Sequence, residues 1–275
     1  YLPFRCQYAV YEGFLNYEIG VMINILEQHS QGFQVLVFAL TLFVSWNVEN
    51  IAGLLSGYQK WRHASNNIPF ALSCLPSQVI LGIAFVSIIY WTQLHHFGFI
   101  YLINKRQTPF LSFIIGFLIL DLGEYFYHLT MHKVKRLWMF HAVHHSDPIV
   151  DVSTTLREHP GENIVRLSFT LLWVLFSGIN FWILLLRQVI QVISNVFAHM
   201  NYRLPKNINR IVGRVLITPN LHHIHHHYRQ PYTDRNYGDV LSIWDQLFGT
   251  FQPETRLSIV YGVDTYKEVS ILSLI

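Results

Sequence analysis

Long apolar runs alternate with short polar connections along this chain, and the runs set the first expectations. One extends from about Phe33 to Leu55, interrupted near its end by Trp46, Asn47, Glu49 and Asn50; a second from about Val79 to Ile103, after Pro76; a third from Pro109 to about Leu129. Each reaches the roughly 20 residues that a helix needs to cross about 30 Å of hydrocarbon, which predicts three membrane spans. The connection "NKRQT" leaves room only for a tight turn, so the second and third spans form an antiparallel pair. A fourth apolar region, Ile164 to Met200, is too long for one span and is broken near its middle by Gly178 and Asn180. Both are turn formers, which predicts a helical hairpin that enters and returns, with its two ends on one face of the membrane.

Beyond the hairpin, "KNINRIVGRVLITP" places Ile208, Ile211, Val212, Val215 and Leu216 on one helical face, with Lys206, Arg210 and Arg214 on the other. Such a pattern predicts a helix lying at the lipid interface. The segment Asn220 to Ile275 is polar, aromatic and turn-rich, and is expected to cap the interfacial face. The expected architecture is all-α and integral to the membrane, with about four transmembrane helices, the last ones as a hairpin, under a cytosolic helical cap. Residues 1–110 form N-terminal spans and 111–275 carry the chemistry.

Composition agrees with this class. Of 275 residues 52% are hydrophobic and only 13% charged, against about a quarter charged in soluble domains. The net charge of +3 is small and scattered, which excludes the concentrated basic face of a nucleic-acid binder. Cys6 and Cys74 lie far apart and read as two unpaired thiols. Three spans plus a returning hairpin put Lys133, Lys135, Arg136, Arg157, Arg203, Lys206, Arg210 and Arg214 on one side, which the positive-inside bias makes cytoplasmic. Lys105 and Arg106 would face the opposite side.

Twelve of the sixteen histidines fall between residues 128 and 227. Residues three and four apart on a helix share a face, so His128 and His132 converge, as do His141, His144 and His145 in "FHAVHHSD", and His222, His225 and His226 in "TPNLHHIHHH". Imidazole is the commonest metal ligand, its second nitrogen held by an acceptor. Eight histidines from three clusters, with His199 at the return end of the hairpin as a ninth, exceed what one ion takes and call for two. No cysteine accompanies them, which argues against iron–sulfur and structural zinc sites; imidazole alone does not separate iron from zinc. His223 and His227 point off the shared face, and His29, His63, His95 and His96 lie outside the constellation. Leu129 occupies the position where an HExxH protease needs glutamate.

The segments "DLGEYFYHLTMH", "LWMFHAVHHSD", "TTLREHPGE", "FAHMN", "TPNLHHIHHH" and "NYGDVLSIWDQLFGTF", in this order over about residues 118–253, resemble the fatty acid hydroxylase / sterol desaturase superfamily of membrane-bound, histidine-rich dimetal oxygenases. The resemblance implies a four-helix membrane stem under a cytosolic cap, and a non-haem di-iron centre that uses O2 to hydroxylate or desaturate a membrane lipid of sterol or fatty acyl type. The ligands it implies are His128, His132, His141, His144, His145, His222, His225 and His226, with His199 as a further one. "HLTMH" has leucine where many relatives have arginine, which leaves the ligands intact. No attached cytochrome b5 domain is visible, so a separate donor, cytochrome b5, ferredoxin or similar, is expected to supply electrons. Two irons are the expected cofactor, with zinc as a substitute on purification; the membrane is endoplasmic reticulum or bacterial inner membrane.

Asp121 and Glu124 precede His128 by seven and four residues on its helical face, so either is placed to accept an imidazole N–H. His159, His223, Asp147, Asp239 and Asp245 are further candidates for that role, and Arg157 with Glu162 for a structural ion pair near the hairpin entrance. The competing reading is a histidine-rich protein that transports or stores zinc; gathering of the histidines on one side, rather than along a path, argues against it. The residues that choose among lipid substrates, and between hydroxylation and desaturation, carry no motif.

Overall fold

The computed structural model describes residues 29–54, 57–103, 108–253 and 258–263. Among these the chain is helical, and β-structure is limited to the isolated bridges Leu216–Leu241 and His227–Tyr261. Four helical stretches are long and apolar enough to span a membrane: Gly32–Ala52, Lys60–Ile103, Pro109–Lys133 and Phe181–His199. Their outer faces carry exposed Val35, Phe43, Ile80, Val86 and Phe110, a distribution suited to lipid and costly in water. The protein is an integral membrane protein.

Helix α1 (Ser30–Ala52) corresponds to the first expected span. The second departs from expectation. Helix α2 begins at Lys60, runs through Pro69 and Pro76 to Leu94, and is separated by a short break from α3 (Phe99–Ile103). Proline removes one ladder hydrogen bond and reads as a helix start. Here serine hydroxyls flanking Pro76 bond back into the helix, Ser73 Oγ to the Phe70 carbonyl at 2.6 Å and Ser77 Oγ to that of Cys74 at 2.8 Å. The polar stretch 60–68, which precedes the expected span, is helical, and its His63 and Asn67 bond to Asp147. Cys74 is buried and unpaired, whereas Cys6, Lys105 and Arg106 lie outside the described residues.

Helix α4 (Pro109–Lys133) carries the third span, and Val134, with extended backbone (φ −95°, ψ 107°), turns the chain into α5 (Lys135–His145). A 3₁₀ turn (Val152–Leu156) leads to the hairpin of α6 (Pro160–Ser177) and α7 (Phe181–His199). Its turn is the expected one: Gly178 adopts φ 68°, and the Asn180 side chain accepts from the Ile183 amide at 3.0 Å. A Cβ on Gly178 would come within 2.4 Å of the Phe97 carbonyl oxygen, and one on Gly98 (φ 121°) within 2.4 Å of Gly178 Cα. Two glycines facing each other let the break after α2 sit against the hairpin turn. Below it Phe85, Ile89, Leu120, Val174, Ile179 and Leu184 join α2, α4 and the hairpin in one apolar core.

The interfacial helix is shorter than expected. Helix α8 (Lys206–Val212) ends early, so Val215 and Leu216 lie beyond it, although Ile208, Ile211, Val215 and Leu216 are all exposed. Gly213 ends it, and Ser242 Oγ donates to its carbonyl at 2.7 Å, drawing the chain into the cap instead. Helix α9 (Pro219–His225) and the short α10 (Ile243–Leu247) complete the cap.

Candidate metal centre

All nine histidines implied by the sequence meet in the space between the end of α4, α5, the end of α7 and α9, but not box by box. His128, His132, His141, His145 and His225 form one group, and His144, His199, His222 and His226 another; within each group the candidate ligand atoms lie within 4.8 Å of one another. Adjacent residues of α5 therefore part company, His144 facing one group and His145 the other.

The far side of six of the nine rings is held. His128 Nδ1 donates to the Tyr237 carbonyl (2.9 Å), His144 Nδ1 to that of Arg157 (3.2 Å), His199 Nδ1 to that of Asn195 (2.8 Å) and His225 Nδ1 to that of Arg235 (2.8 Å). His141 Nδ1 faces Glu162 Oε1 at 2.7 Å, and His132 Nδ1 faces Asp234 Oδ1 at 3.4 Å. Carbonyls only accept, so the proton sits on Nδ1 and a bare lone pair on Nε2. Those lone pairs face one another: Nε2 of His128 and His141 are 3.1 Å apart and those of His144 and His199 3.1 Å, while Nε2 of His222 lies 2.9 Å from that of His199. Nε2 of His132, His145 and His225 is buried with no hydrogen-bond partner. Such an arrangement is repulsive by itself and would be relieved by a cation at each focus. The donor sets, five and four imidazoles without thiolate, fit two transition-metal ions.

Burial, ahead of the neighbouring imidazoles, holds His144, His145, His222 and His226 well below the usual histidine range, and burial pushes His225 down to about 3. Neutral rings are the ligating form.

The anticipated acceptors fare less uniformly. Neither Asp121 nor Glu124 receives an imidazole N–H. Asp121 is fully buried and accepts from the amides of Val240 (3.3 Å) and Leu241 (3.2 Å) and from Trp244 Nε1 (2.8 Å), so it anchors the segment that presents the Tyr237 carbonyl. Glu124 pairs with Arg166 (3.2 Å) and Arg187 (3.8 Å). His159 caps α6 through the Gly161 amide and stacks on Phe140. His223 Nδ1 meets the Tyr261 hydroxyl at 2.6 Å, and the His227 ring accepts from the Arg229 amide. Asp147 holds His63, Asn67 and Thr154, two residues beyond His145. Asp239 lies 3.5 Å from Arg187, and Asp245 accepts from the Tyr237 and Gly238 amides. Arg157 and Glu162 do not pair with each other: Arg157 donates to the Val143 carbonyl, Asn67 and Ser146, while Glu162 serves His141.

Three contributors lay outside the sequence reading. His63 bridges Asp147 (2.7 Å) and Asp151 (3.0 Å), tying α2 to the loop after α5. Arg166 and Arg187 sit within apolar helices, where an ionisable residue is a signal of function by default; "LLLRQVI" displayed that signal.

The model of the fatty acid hydroxylase family matches residues 113–250, half of the chain. The chain belongs to the fatty acid hydroxylase family. It is 28% identical over 215 residues to alkylglycerol monooxygenase of Homo sapiens, covering 73% of this chain and 43% of that protein. To the Danio rerio alkylglycerol monooxygenase it is 32% identical over 152 residues, 54% of this chain and 32% of the relative. To ornithine lipid hydroxylase OlsE of Rhizobium tropici it is 29% identical over 145 residues, 53% of this chain and 43% of the relative. The chain thus spans less than half the length of these relatives. No solved structure matches it.

Proposed function

We propose that this protein is an O2-dependent lipid hydroxylase whose nine histidines hold two iron ions. The observation that carries the reading is the pair of buried imidazole groups with facing Nε2 atoms. Two irons held there would supply the oxidising power that an unactivated C–H bond demands and that no side chain provides. The protein does the rest. His128, His132, His141, His145 and His225 bind one ion, and His144, His199, His222 and His226 the other. The acceptors on Nδ1 fix ring tautomer and aim, and the Glu162 carboxylate raises the basicity of His141. Burial of the rings keeps bulk water from the oxidising centre.

Hydroxylation is favoured over desaturation because the similar proteins carry names of hydroxylases and monooxygenases. Their named lipids, alkylglycerols and ornithine lipid, make a membrane lipid the substrate class. Residues 111–275 would carry the chemistry, a separate donor would deliver electrons, and the basic residues around the cap make the metal side cytoplasmic.

Purified protein should contain two irons and, with O2 and a reductant, convert a lipid to a product heavier by one oxygen. Failure to oxidise any sterol, fatty acyl, sphingolipid or ether lipid would refute the proposal; zinc alone on purification would not, since metals exchange.

A further inference from the structure

Helices α1 and α2 lie outside residues 113–250, the part of the chain that matches the family. Both nevertheless send polar side chains to the back of the metal centre. On α2, His63 faces Asp147 Oδ1 with Nε2 at 2.7 Å and Asp151 Oδ2 with Nδ1 at 3.0 Å. Ionised carboxylates accept and never donate, so both ring nitrogens carry protons and His63 is a cation between two buried anions. Tyr58 donates to the same Asp151 oxygen at 2.7 Å, and Asn67 donates to Asp147 (3.2 Å) while accepting from Arg157 (3.1 Å). On α1, Glu49 is only 6% exposed; its Oε1 accepts from the amides of Val152 (3.0 Å) and Asn201 (2.6 Å), and Lys60 Nζ lies 2.8 Å from its Oε2. A carboxylate buried to this extent is tolerated only where such partners offset its desolvation.

These contacts converge on two segments. The first is the turn from Ser146 to Arg157. Its far end supplies the carbonyl behind His144 (3.2 Å), and the Arg157 side chain grips the Val143 carbonyl and the Ser146 hydroxyl, each at 2.9 Å, at the end of α5. The second is the chain leaving α7, where Asn201, two residues beyond His199, donates its amide to Glu49 and accepts from the Leu54 amide at 3.1 Å. One oxygen of Glu49 thus joins both segments. His144 and His199 are two of the four candidate ligands in one group. Their Nε2 lone pairs, 3.1 Å apart, repel until an ion lies between them, so a force from outside the group must hold the segments together. The other group meets these contacts only at His145, which α5 also ties to His141; its remaining rings are backed by Tyr237, Glu162, Asp234 and Arg235.

We infer that His63 and Glu49 are positioning residues for the four-histidine ion: α1 and α2 form a clamp that sets how His144 and His199 approach each other, and with it the affinity and geometry of that ion rather than of its neighbour. The inference rests on the two-ion reading.

Two backgrounds of the full chain read the ions one at a time, His145→Ala keeping the four-histidine group and His144→Ala the five-histidine group. On adding His63→Ala or Glu49→Ala, Co(II) should bind the four-histidine group about tenfold or more weakly, with a shifted absorption band, and the five-histidine group within about threefold of its parent. Glu49→Gln keeps an oxygen for both amides and should recover most of the loss. Phe85→Ala, a truncation in the apolar core of α2, should lower unfolding stability without moving either affinity or either band. If the alanine variants do not fold, His63→Gln, neutral and of similar reach, decides in their place, with a smaller loss confined to the four-histidine background. Equal losses at both ions, no loss at either, or Glu49→Gln behaving as Glu49→Ala overturns the inference. If the wild type binds no pair of ions, the two-ion reading falls instead. Hydrogen exchange of the metal-free protein then still decides the clamp: His63→Ala should speed exchange over residues 146–157 and leave 128–141 unchanged, and equal acceleration of both stretches would count against it.

Discussion

The two histidine groups are built in different ways. The five-membered group takes His128, His132, His141 and His145 from one continuous stretch and adds only His225 from the cap; the four-membered group assembles His144, His199, His222 and His226 from three segments. Their support differs too. Carboxylates back two rings of the first group, Glu162 behind His141 and Asp234 near His132. Backbone carbonyls of Arg157 and Asn195 back the second, and Nδ1 of His222 and His226 is buried without a hydrogen-bond partner. A carboxylate makes an imidazole a stronger ligand. The first group is therefore local and electrostatically reinforced, and the second exists only once the hairpin has returned and the cap has closed.

The largest effects should come from neighbours in sequence that serve different groups. His144→Ala and His145→Ala should each lower turnover by more than the roughly 100-fold that loss of an outer partner costs, and each should take metal content from two ions to about one. The double substitution should leave neither. Wild-type turnover in either single variant would sink the assignment, and loss of the same ion in both would erase the distinction between the groups.

Next in size is Glu162→Gln, which exchanges the carboxylate behind His141 for a neutral amide. Affinity for the ion of the five-histidine group should fall about 10–100-fold, with the other ion held as before. In a chelator titration of the wild type the four-histidine ion should leave first, and in Glu162→Gln the order should narrow or invert. An unchanged order in the variant would mean that carboxylate backing does not set the difference.

How much of this was legible in the chain follows from the same contrast. The nine histidines announce themselves because imidazoles at three- and four-residue spacing beside apolar runs have few other uses. Their partition does not, because His144 and His145 are separated only by the rotation of α5 against α7 and α9. The acceptors were least legible: four of them are main-chain carbonyls, which no residue type reveals. Helical spacing put Asp121 and Glu124 on the face of His128, yet that part of α4 meets the 240–244 segment and the two arginines. The hairpin was readable from Gly178 and Asn180, whereas the long α2 was not, since its prolines and polar first turns precede the apolar run.

Asp121 gives a smaller, indirect test. It holds the Val240 and Leu241 amides and the Trp244 indole N–H, and the same segment presents the Tyr237 carbonyl to His128. Asp121→Asn removes the charge and places an amide donor among donors, which should cost about 2 kcal/mol in unfolding measurements. Metal affinity should weaken at the five-histidine ion and not at the other. A loss confined to the four-histidine ion would contradict the route through Tyr237.

The smallest expected effects separate closure of the second group from mere backbone preference. Gly178 and Gly249 both have positive φ, 68° and 74°, but a Cβ on Gly178 would strike the Phe97 carbonyl at 2.4 Å while one on Gly249 would meet nothing within 4 Å. Gly249→Ala should therefore cost only the left-handed penalty, about 1 kcal/mol, and leave both ions in place, although the Gly249 carbonyl accepts from Arg235, whose own carbonyl backs His225. Gly178→Ala should cost more, because the hairpin turn must also move away from the break after α2, and the displacement travels along α7 to His199. If thermal unfolding gives the two substitutions equal costs, or if Gly178→Ala leaves the four-histidine ion as tightly held as in the wild type, the second group does not depend on hairpin closure, and the contrast between a local and an assembled metal site fails at that point.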